Sequence, residues 1–202
     1  KFVATLALAV FAAGAAHAGP PPPKAHGIED KTYKWNAQEG EKMEALKLKG
    51  DKTRGEEGYE VCGACHLPSG AGRPDGTFPQ LAGQHTTVLI KQMADIRAGL
   101  RDNPTMYPFA VTLVDPQELA DVSAYIESLC IPTEHGKYEG ADVAMQVAKG
   151  KDLYEKQCKE CHGANGEGDK AKFYPVIAGQ HYKYLLRQMT EIRDGHRRNA
   201  NP

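Results

Sequence analysis

Apolar residues recur along this chain at the spacing of amphipathic helices, and no stretch alternates in the way a half-buried strand would. One apolar stripe stops at Gly99 and another at Gly195, and glycine is the favoured residue just beyond a helix. A third stripe follows Asp115, where a capping residue, a proline and an acid in the first turn indicate a helix start. The stripes comprise Val88, Leu89, Met93 and Ile96; Tyr184, Leu185, Met189 and Ile192; and Leu119, Val122, Tyr125, Ile126 and Leu129. The pattern predicts a mostly α-helical protein.

Shorter apolar patterns predict further helices. Residues 41–49 would form a short helix that carries Met43, Leu46 and Leu48. The segments that run into residues 62 and 158 also favour helices, and the second has an apolar side. That side comprises Val143, Val147, Leu153 and Tyr154. The 21 glycines and 13 prolines favour short helices joined by turns.

The chain contains an internal repeat with an offset of 96 positions. The eight residues from Phe78 to His85 match those from Tyr174 to His181, and Gln92-Met93 matches Gln188-Met189. Each repeat has the size of a small domain. We therefore predict a first domain at residues 51–132, a linker at 133–140, and a second domain at 141–202.

A C-x-x-C-H motif occurs in each repeat, at the same offset. The motifs comprise Cys62, Cys65 and His66 in the first repeat, and Cys158, Cys161 and His162 in the second. Two cysteines on one helical turn face the same way and can both form thioethers with one porphyrin, while a neutral imidazole is a good iron ligand. The motifs therefore predict two covalently bound haem c groups. A zinc half-site or a redox dithiol would be the alternative for a single motif.

The N-terminus has the pattern of an export signal. Lys1 precedes an apolar run that ends at Ala16, and Ala16-His17-Ala18 fits the small-residue cleavage rule. We predict a cleaved signal at residues 1–18 and a proline-rich, charged extension at 19–50, which packs on the first domain or serves as a partner-docking arm. A membrane anchor is the alternative for the apolar run, which is short for a spanning helix.

Composition excludes some function classes and leaves one cysteine over. The formal net charge of −1 argues against a nucleic-acid partner. No glycine-rich nucleotide loop and no nucleophile motif occurs in the chain. Cys130 lies outside both motifs, and we expect it to be a small buried hydrophobic residue, not a reactive thiol.

From about residue 50 onward, the chain resembles the dihaem class I cytochromes c of the cytochrome c4 type. The resemblance implies two tandem class I haem domains. It also implies that Pro79 and Pro175, each thirteen residues after a motif histidine, mark the carbonyls that orient those histidines. Gly150 and Tyr154 resemble the family's N-terminal helix, whose glycine lets the C-terminal helix cross closely. In the first unit, which is the predicted domain at 51–132, Gly55 and Tyr59 lie one residue nearer to the C-x-x-C-H motif than Gly150 and Tyr154 do in the second. The helix register in the first unit is therefore an open question.

The sixth iron ligand is predicted for the first haem only. The segment around Met106 resembles the family's methionine loop, and it lies between the second and third predicted helices of its unit. Met93 repeats as Met189 within a helical stripe, so we expect Met93 to be a core residue and not an iron ligand. His85 and His181 also repeat, and bis-histidine ligation through them is an alternative to a role in capping a helix or binding a propionate.

These features predict a periplasmic carrier of single electrons between a donor complex and a terminal oxidase or reductase. A cytochrome subunit of a dehydrogenase or oxidase is one alternative. A dihaem enzyme, such as a peroxidase or a thiosulfate-oxidising cytochrome, is another. An enzyme would need an open iron site, which Met106 would close at the first haem.

The second unit is expected to be truncated at its C-terminus. Aligning Asn201-Pro202 with Asn103-Pro104 places the counterpart of Met106 two positions past Pro202. We expect the gene to continue with that methionine and an amphipathic helix. In the 202 residues given, the second haem would then have no assigned sixth ligand.

Overall fold

The computed structural model describes residues 34–113 and 115–200, which form eight helices and no strand beyond one isolated bridge between Asp169 and Tyr174. The helices are α1 (Gly40–Lys47), α2 (Lys52–His66), α3 (Thr86–Arg97), α4 (Tyr107–Ala110), α5 (Pro116–Ser128), α6 (Val143–Gln157), α7 (Lys159–His162) and α8 (Tyr182–Arg193). The predicted mostly α-helical class is confirmed. The predicted signal at 1–18 and the Asn201-Pro202 alignment lie outside the described residues.

The helix starts follow from local capping. Asp51 precedes α2, and its carboxylate accepts hydrogen bonds from the backbone N–H groups of Thr53 and Arg54. At α5 the carboxylate of Asp115 caps the backbone while the side chain of Glu118 reaches back to the Asp115 N–H. The helix start predicted at Asp115 is therefore confirmed.

Helices α2 and α5 cross at Gly55. A Cβ on this glycine would lie inside the van der Waals radius of the Asp121 backbone carbonyl. The missing side chain thus lets the two backbones touch, and it brings the hydrophobic faces of α1, α2, α3 and α5 into one core. The buried members are Ala45, Tyr59, Leu89, Ile90, Leu113, Leu119, Val122 and Ile126.

Asp121 fastens the start of α2 to α5. Its buried carboxylate accepts hydrogen bonds from the Asp51 N–H at 2.7 Å, from Arg54 Nε at 2.6 Å and from Gln117 Nε2 at 2.7 Å. Burial opposes ionisation, but these bonds outweigh it and hold the pKa of Asp121 below its ordinary value of 3.8.

Asp121→Asn should therefore lower the stability of the protein at neutral pH and make that stability less sensitive to acid. A carboxylate with a depressed pKa stabilises the fold fully above 3.8, and this contribution is lost as the pH falls through the lower folded-state pKa. Thermal melts at neutral pH and below pH 3.8 measure this dependence. Between the two conditions, the Tm should fall less in the variant than in the parent. An equal acid-induced loss in both proteins would show that Asp121 does not carry this dependence.

The second unit is built more openly in the described residues. Helix α6 buries none of its side chains, and Met189 on α8 is 64% exposed. Met93 packs against the first core, as the sequence predicted, whereas its counterpart Met189 is exposed in the described residues. The reason is that α5 covers the apolar faces in the first unit, while no helix between 141 and 200 covers α6 and α8 in the same way. Likewise, no atom of the described residues lies within 4 Å of a Cβ built on Gly150.

The two units face each other through a symmetric pair of glutamines. The Gln84 side chain donates to the Val176 carbonyl and accepts from the Val176 N–H, both at 2.9 Å. The Gln180 side chain makes the same pair of bonds with the backbone of Gln80, at 2.9 and 3.0 Å. Because the pairs are related by the offset of 96, each unit uses its repeated loop to bind the loop of the other.

Cys130 is exposed, so the prediction that it is a buried hydrophobic residue is wrong. Helix α5 ends at Ser128, and the chain is extended from Leu129. Alternate side chains of an extended segment point to opposite sides. Leu129 and Ile131 approach Gly70 and Gly83, which turns Cys130 outward.

Within residues 34–113 and 115–200, no helix has the length and apolar character needed to cross a bilayer.

Candidate haem centres

The first motif occupies the last turn of α2, which continues without a break through His66. Cys62 and Cys65 stand three residues apart on this helix and therefore face the same side. Both cysteines lie in half-buried positions, and neither forms a disulfide.

His66 is held by a backbone carbonyl in a single orientation. Its Nδ1 lies 2.9 Å from the carbonyl oxygen of Pro79. A carbonyl can only accept, so Nδ1 carries the proton and Nε2 presents its lone pair. Nε2 is buried and has no hydrogen-bond partner among the described residues. Burial lowers the pKa of His66 while the bond to Pro79 opposes it, so the ring stays neutral, as a metal ligand must be.

Gly72, which the sequence patterns did not indicate, closes the loop between His66 and Pro79. The N–H of Gly72 donates to the His66 carbonyl at 2.9 Å, and Gly72 has φ +66. A Cβ at this position would clash with the Pro79 carbonyl that binds the histidine. Gly168 has φ +70, bonds the His162 carbonyl at 2.8 Å, and would clash with Tyr174 and Pro175. Their common offset of 96 was the signal that could have identified them.

The second motif has the same geometry on a broken helix. Helix α6 ends at Gln157, the backbone at Cys158 is distorted to φ −114 but stays in the right-handed region, and α7 then carries Cys161 and His162. The Nδ1 of His162 lies 3.1 Å from the carbonyl oxygen of Pro175. The sequence therefore paired both histidines with the correct prolines.

The break at Cys158 answers the question of helix register. Tyr59 donates its hydroxyl to the Leu67 carbonyl at 2.9 Å, and Tyr154 donates to the Gly163 carbonyl at 2.6 Å. The two acceptor residues are 96 positions apart in the sequence, whereas the two tyrosines are 95 positions apart. The second unit has one more residue between tyrosine and motif, and the irregular backbone at Cys158 absorbs it.

Met106 is half-buried at the start of α4, which packs against α3. Its N–H donates to the side-chain oxygen of Asn103 at 3.2 Å and to the Asn103 carbonyl at 3.1 Å. The loop is therefore fixed by its own asparagine, in the stretch between α3 and α5 where the sequence placed it.

Comparison with known proteins identifies the fold. The cytochrome c family model matches residues 52–130 and again 147–202. The cytochrome c4 of Azotobacter vinelandii is 35% identical over 74% of this chain and 76% of its own length. The chain belongs to the cytochrome c family.

Solved structures place it among the dihaem cytochromes c4. Reduced cytochrome c4 from Pseudomonas stutzeri matches with a TM-score of 0.62 and 33% identity, over 73% of this chain and 83% of that one. A thiosulfate dehydrogenase electron acceptor from Stutzerimonas stutzeri is 36% identical over 69% of this chain and 66% of its own length. As a dihaem cytochrome c, the chain carries two covalently bound haem c groups and functions in electron transfer.

The residues present fit haem c. The buried Nε2 of His66 has no hydrogen-bond partner in the part of the chain that the structure describes, which suits an atom that binds iron. The two thiols of the same turn are free to form thioethers. The zinc alternative finds no donor set, because no three His, Cys, Asp or Glu side chains gather into a metal site in residues 34–113 and 115–200.

His85 and His181 bind the opposite unit of the cytochrome. Each stands at the N-cap of its helix without capping it through the side chain, so the expected capping role is wrong. The Nε2 of His85 lies 2.9 Å from the Glu167 carbonyl, and that of His181 lies 2.8 Å from the Ala71 carbonyl. His181 Nδ1 also accepts from the Gly136 N–H at 3.0 Å. Both ring nitrogens of His181 are therefore occupied by hydrogen bonds to the backbone. These contacts argue against ligation of the haem irons by pairs of histidines.

Proposed function

We propose that the chain is a periplasmic electron carrier whose haems are attached through four cysteines and ligated by two histidines and a methionine. The cysteines are Cys62, Cys65, Cys158 and Cys161, and the iron ligands are His66, Met106 and His162. One observation carries the proposal: behind each C-x-x-C-H motif, a proline carbonyl fixes Nδ1 of the motif histidine, so that Nε2 is the ring nitrogen left to bind iron.

The chain's own residues hold and tune the sites. The haem supplies reversible one-electron exchange at its iron. Pro79 and Pro175 orient the imidazoles and raise their basicity through the Nδ1–H bond. Asn103 holds the backbone of Met106, whose thioether favours the reduced iron. The Gln84 and Gln180 pairs keep the two units in contact, which favours electron exchange within one molecule.

The division of the chain follows from this role. Residues 1–18 serve as the export signal, 19–50 as an extension, 51–132 and 141–202 as the haem domains, and 133–140 as the linker. Export places the chain in the periplasm, where haem c is attached. The donor is a redox enzyme complex and the acceptor a terminal oxidase or reductase. A relative named as the electron acceptor of thiosulfate dehydrogenase supports a role between an enzyme and a later acceptor.

A reductive titration of the purified holoprotein tests the proposal. The protein should take up two electrons, one per haem, and should return them to an added oxidant without loss. It should not turn over peroxide or thiosulfate when no partner is present. Sustained turnover of either compound by the protein alone would instead favour an enzyme.

A further inference from the structure

Part of the N-terminal extension packs against both units. Residues 34–50 lie before the segment that the family model matches, yet Ala45 of α1 is fully buried in the first core. Glu41 forms an ion pair of 2.9 Å with Arg97 of α3. This portion of the extension is thus part of the folded body.

The same segment reaches two aromatic residues of the second unit. The Trp35 ring packs 6.2 Å from the Tyr174 ring, and the Nζ of Lys42 lies 5.4 Å from the centre of the Phe173 ring. Lys42 is only 7% exposed, and its ammonium also donates to Asn36 Oδ1 at 2.8 Å. Burial lowers the pKa of Lys42, because a buried cation loses its contact with water. The face of the Phe173 ring and the amide oxygen of Asn36 offset part of this cost.

A second buried lysine, Lys91 of the first unit, contacts the other side of this segment at Trp35. Lys91 of α3 is 2% exposed, donates to Asp95 at 2.6 Å, and lies 5.7 Å from the centre of the Trp35 ring. Trp35 therefore stands between Lys91 of the first unit and Tyr174 of the second. The tryptophan joins the two units through its two neighbours.

Phe173 and Tyr174 belong to the loop that orients His162. Phe173 has φ +60, which is unfavourable for a bulky residue. Tyr174 exchanges two backbone hydrogen bonds of 3.0 Å with Asp169, and the next residue, Pro175, supplies the carbonyl that binds His162 Nδ1. A conformation of this kind persists only where surrounding contacts enforce it.

The loop of the first unit is held differently. The residues that correspond to Phe173 and Tyr174 are Thr77 and Phe78. The guanidinium of Arg73 lies 5.8 Å from the Phe78 ring centre, and Arg187 approaches the Thr77 carbonyl at 3.5 Å. The proximal loops of the two units are thus supported by different parts of the chain.

We propose that Trp35 and Lys42 are positioning residues for the second haem, which brace the Phe173–Tyr174 turn and so hold the Pro175 carbonyl against His162. This inference rests on the proposed haem ligation. Weakening the brace would loosen the Nδ1–H bond and make the imidazole less basic. A less basic ligand stabilises oxidised iron less, so the potential of the second haem would rise.

Redox titrations that resolve the two haems test this in the full-length holoprotein with Trp35→Ala and Lys42→Met. Each variant should raise the midpoint potential of the second haem and leave that of the first unchanged. Trp35→Phe, which keeps an aromatic ring, should restore most of the parent value. Lys47→Ala is the matched control on the exposed side of α1 and should shift neither potential.

The outcomes separate this inference from the proposed function. Two bound haems whose potentials both stay at parent values in Trp35→Ala and Lys42→Met would overturn the positioning role. Equal shifts of both haems would also overturn it, because they would indicate general loosening. Absence of covalent haem in the parent protein would instead contradict the proposed function itself.

Discussion

Gly55→Ala should destabilise the first unit, although alanine is the better residue in a helix. In a helix interior this change normally adds about 0.5–1 kcal/mol of stability. Here the new methyl group would overlap the backbone carbonyl of Asp121 and the Cβ of Tyr125, so α2 and α5 would have to move apart. Overpacking of this kind costs about 1–3 kcal/mol, and more when backbone atoms must separate.

Thermal unfolding followed by far-ultraviolet circular dichroism measures the effect. For a unit of this size, about 2 kcal/mol corresponds to a fall in Tm on the order of 10 °C. Gly150→Ala in this 202-residue chain is the matched control, because no atom of the described residues lies within 4 Å of a Cβ at that position. The control should be neutral or slightly stabilising. Equal effects of the two substitutions would mean that α2 and α5 do not cross in contact at Gly55.

Met106→Ala should lower the potential of the first haem. Thioether ligation favours the reduced iron, and the axial ligands of haem proteins span about 0.8 V in potential, so loss of the sulfur should shift it by a sizeable fraction of that range. The vacated position would also admit water and give a high-spin component. Redox titration and the absorption spectrum of the oxidised protein measure the two changes.

Met189→Ala is the control for this substitution, because that side chain is mostly exposed on α8. It should leave both potentials unchanged. If His85→Ala, and not Met106→Ala, removed the low-spin signal of the first haem, the sixth ligand would be the histidine. His85 Nε2 would then have to leave the Glu167 carbonyl that it contacts.

Local patterns in the sequence were sufficient for the six longer helices, but not for α4 and α7, and for the orientation of the proximal histidines. The capping residues around Asp115 gave the start of α5, and the repeated prolines gave the partners of His66 and His162. Each of these features depends on residues near in sequence or on a repeat that aligns them.

Features that depend on the approach of distant segments could not be predicted in the same way. The contacts of Gln84 with Val176 and of Trp35 with Tyr174 join residues far apart in the chain, and nothing in their local sequence names the partner. Helical spacing places Met189 on an apolar face but does not show what covers that face, and Met189 is exposed in the described residues. Cys130 was misjudged because its exposure depends on where α5 ends.

The central claim is that each unit carries one haem bound through its own two cysteines. Intact mass of the full-length protein after acid–acetone extraction tests it most directly. We expect the haem to stay on the polypeptide, with a mass two haems above that of the bare chain, and one haem above it in the Cys158→Ala/Cys161→Ala variant. A bare-chain mass after extraction, or two haems retained in that variant, would contradict the account.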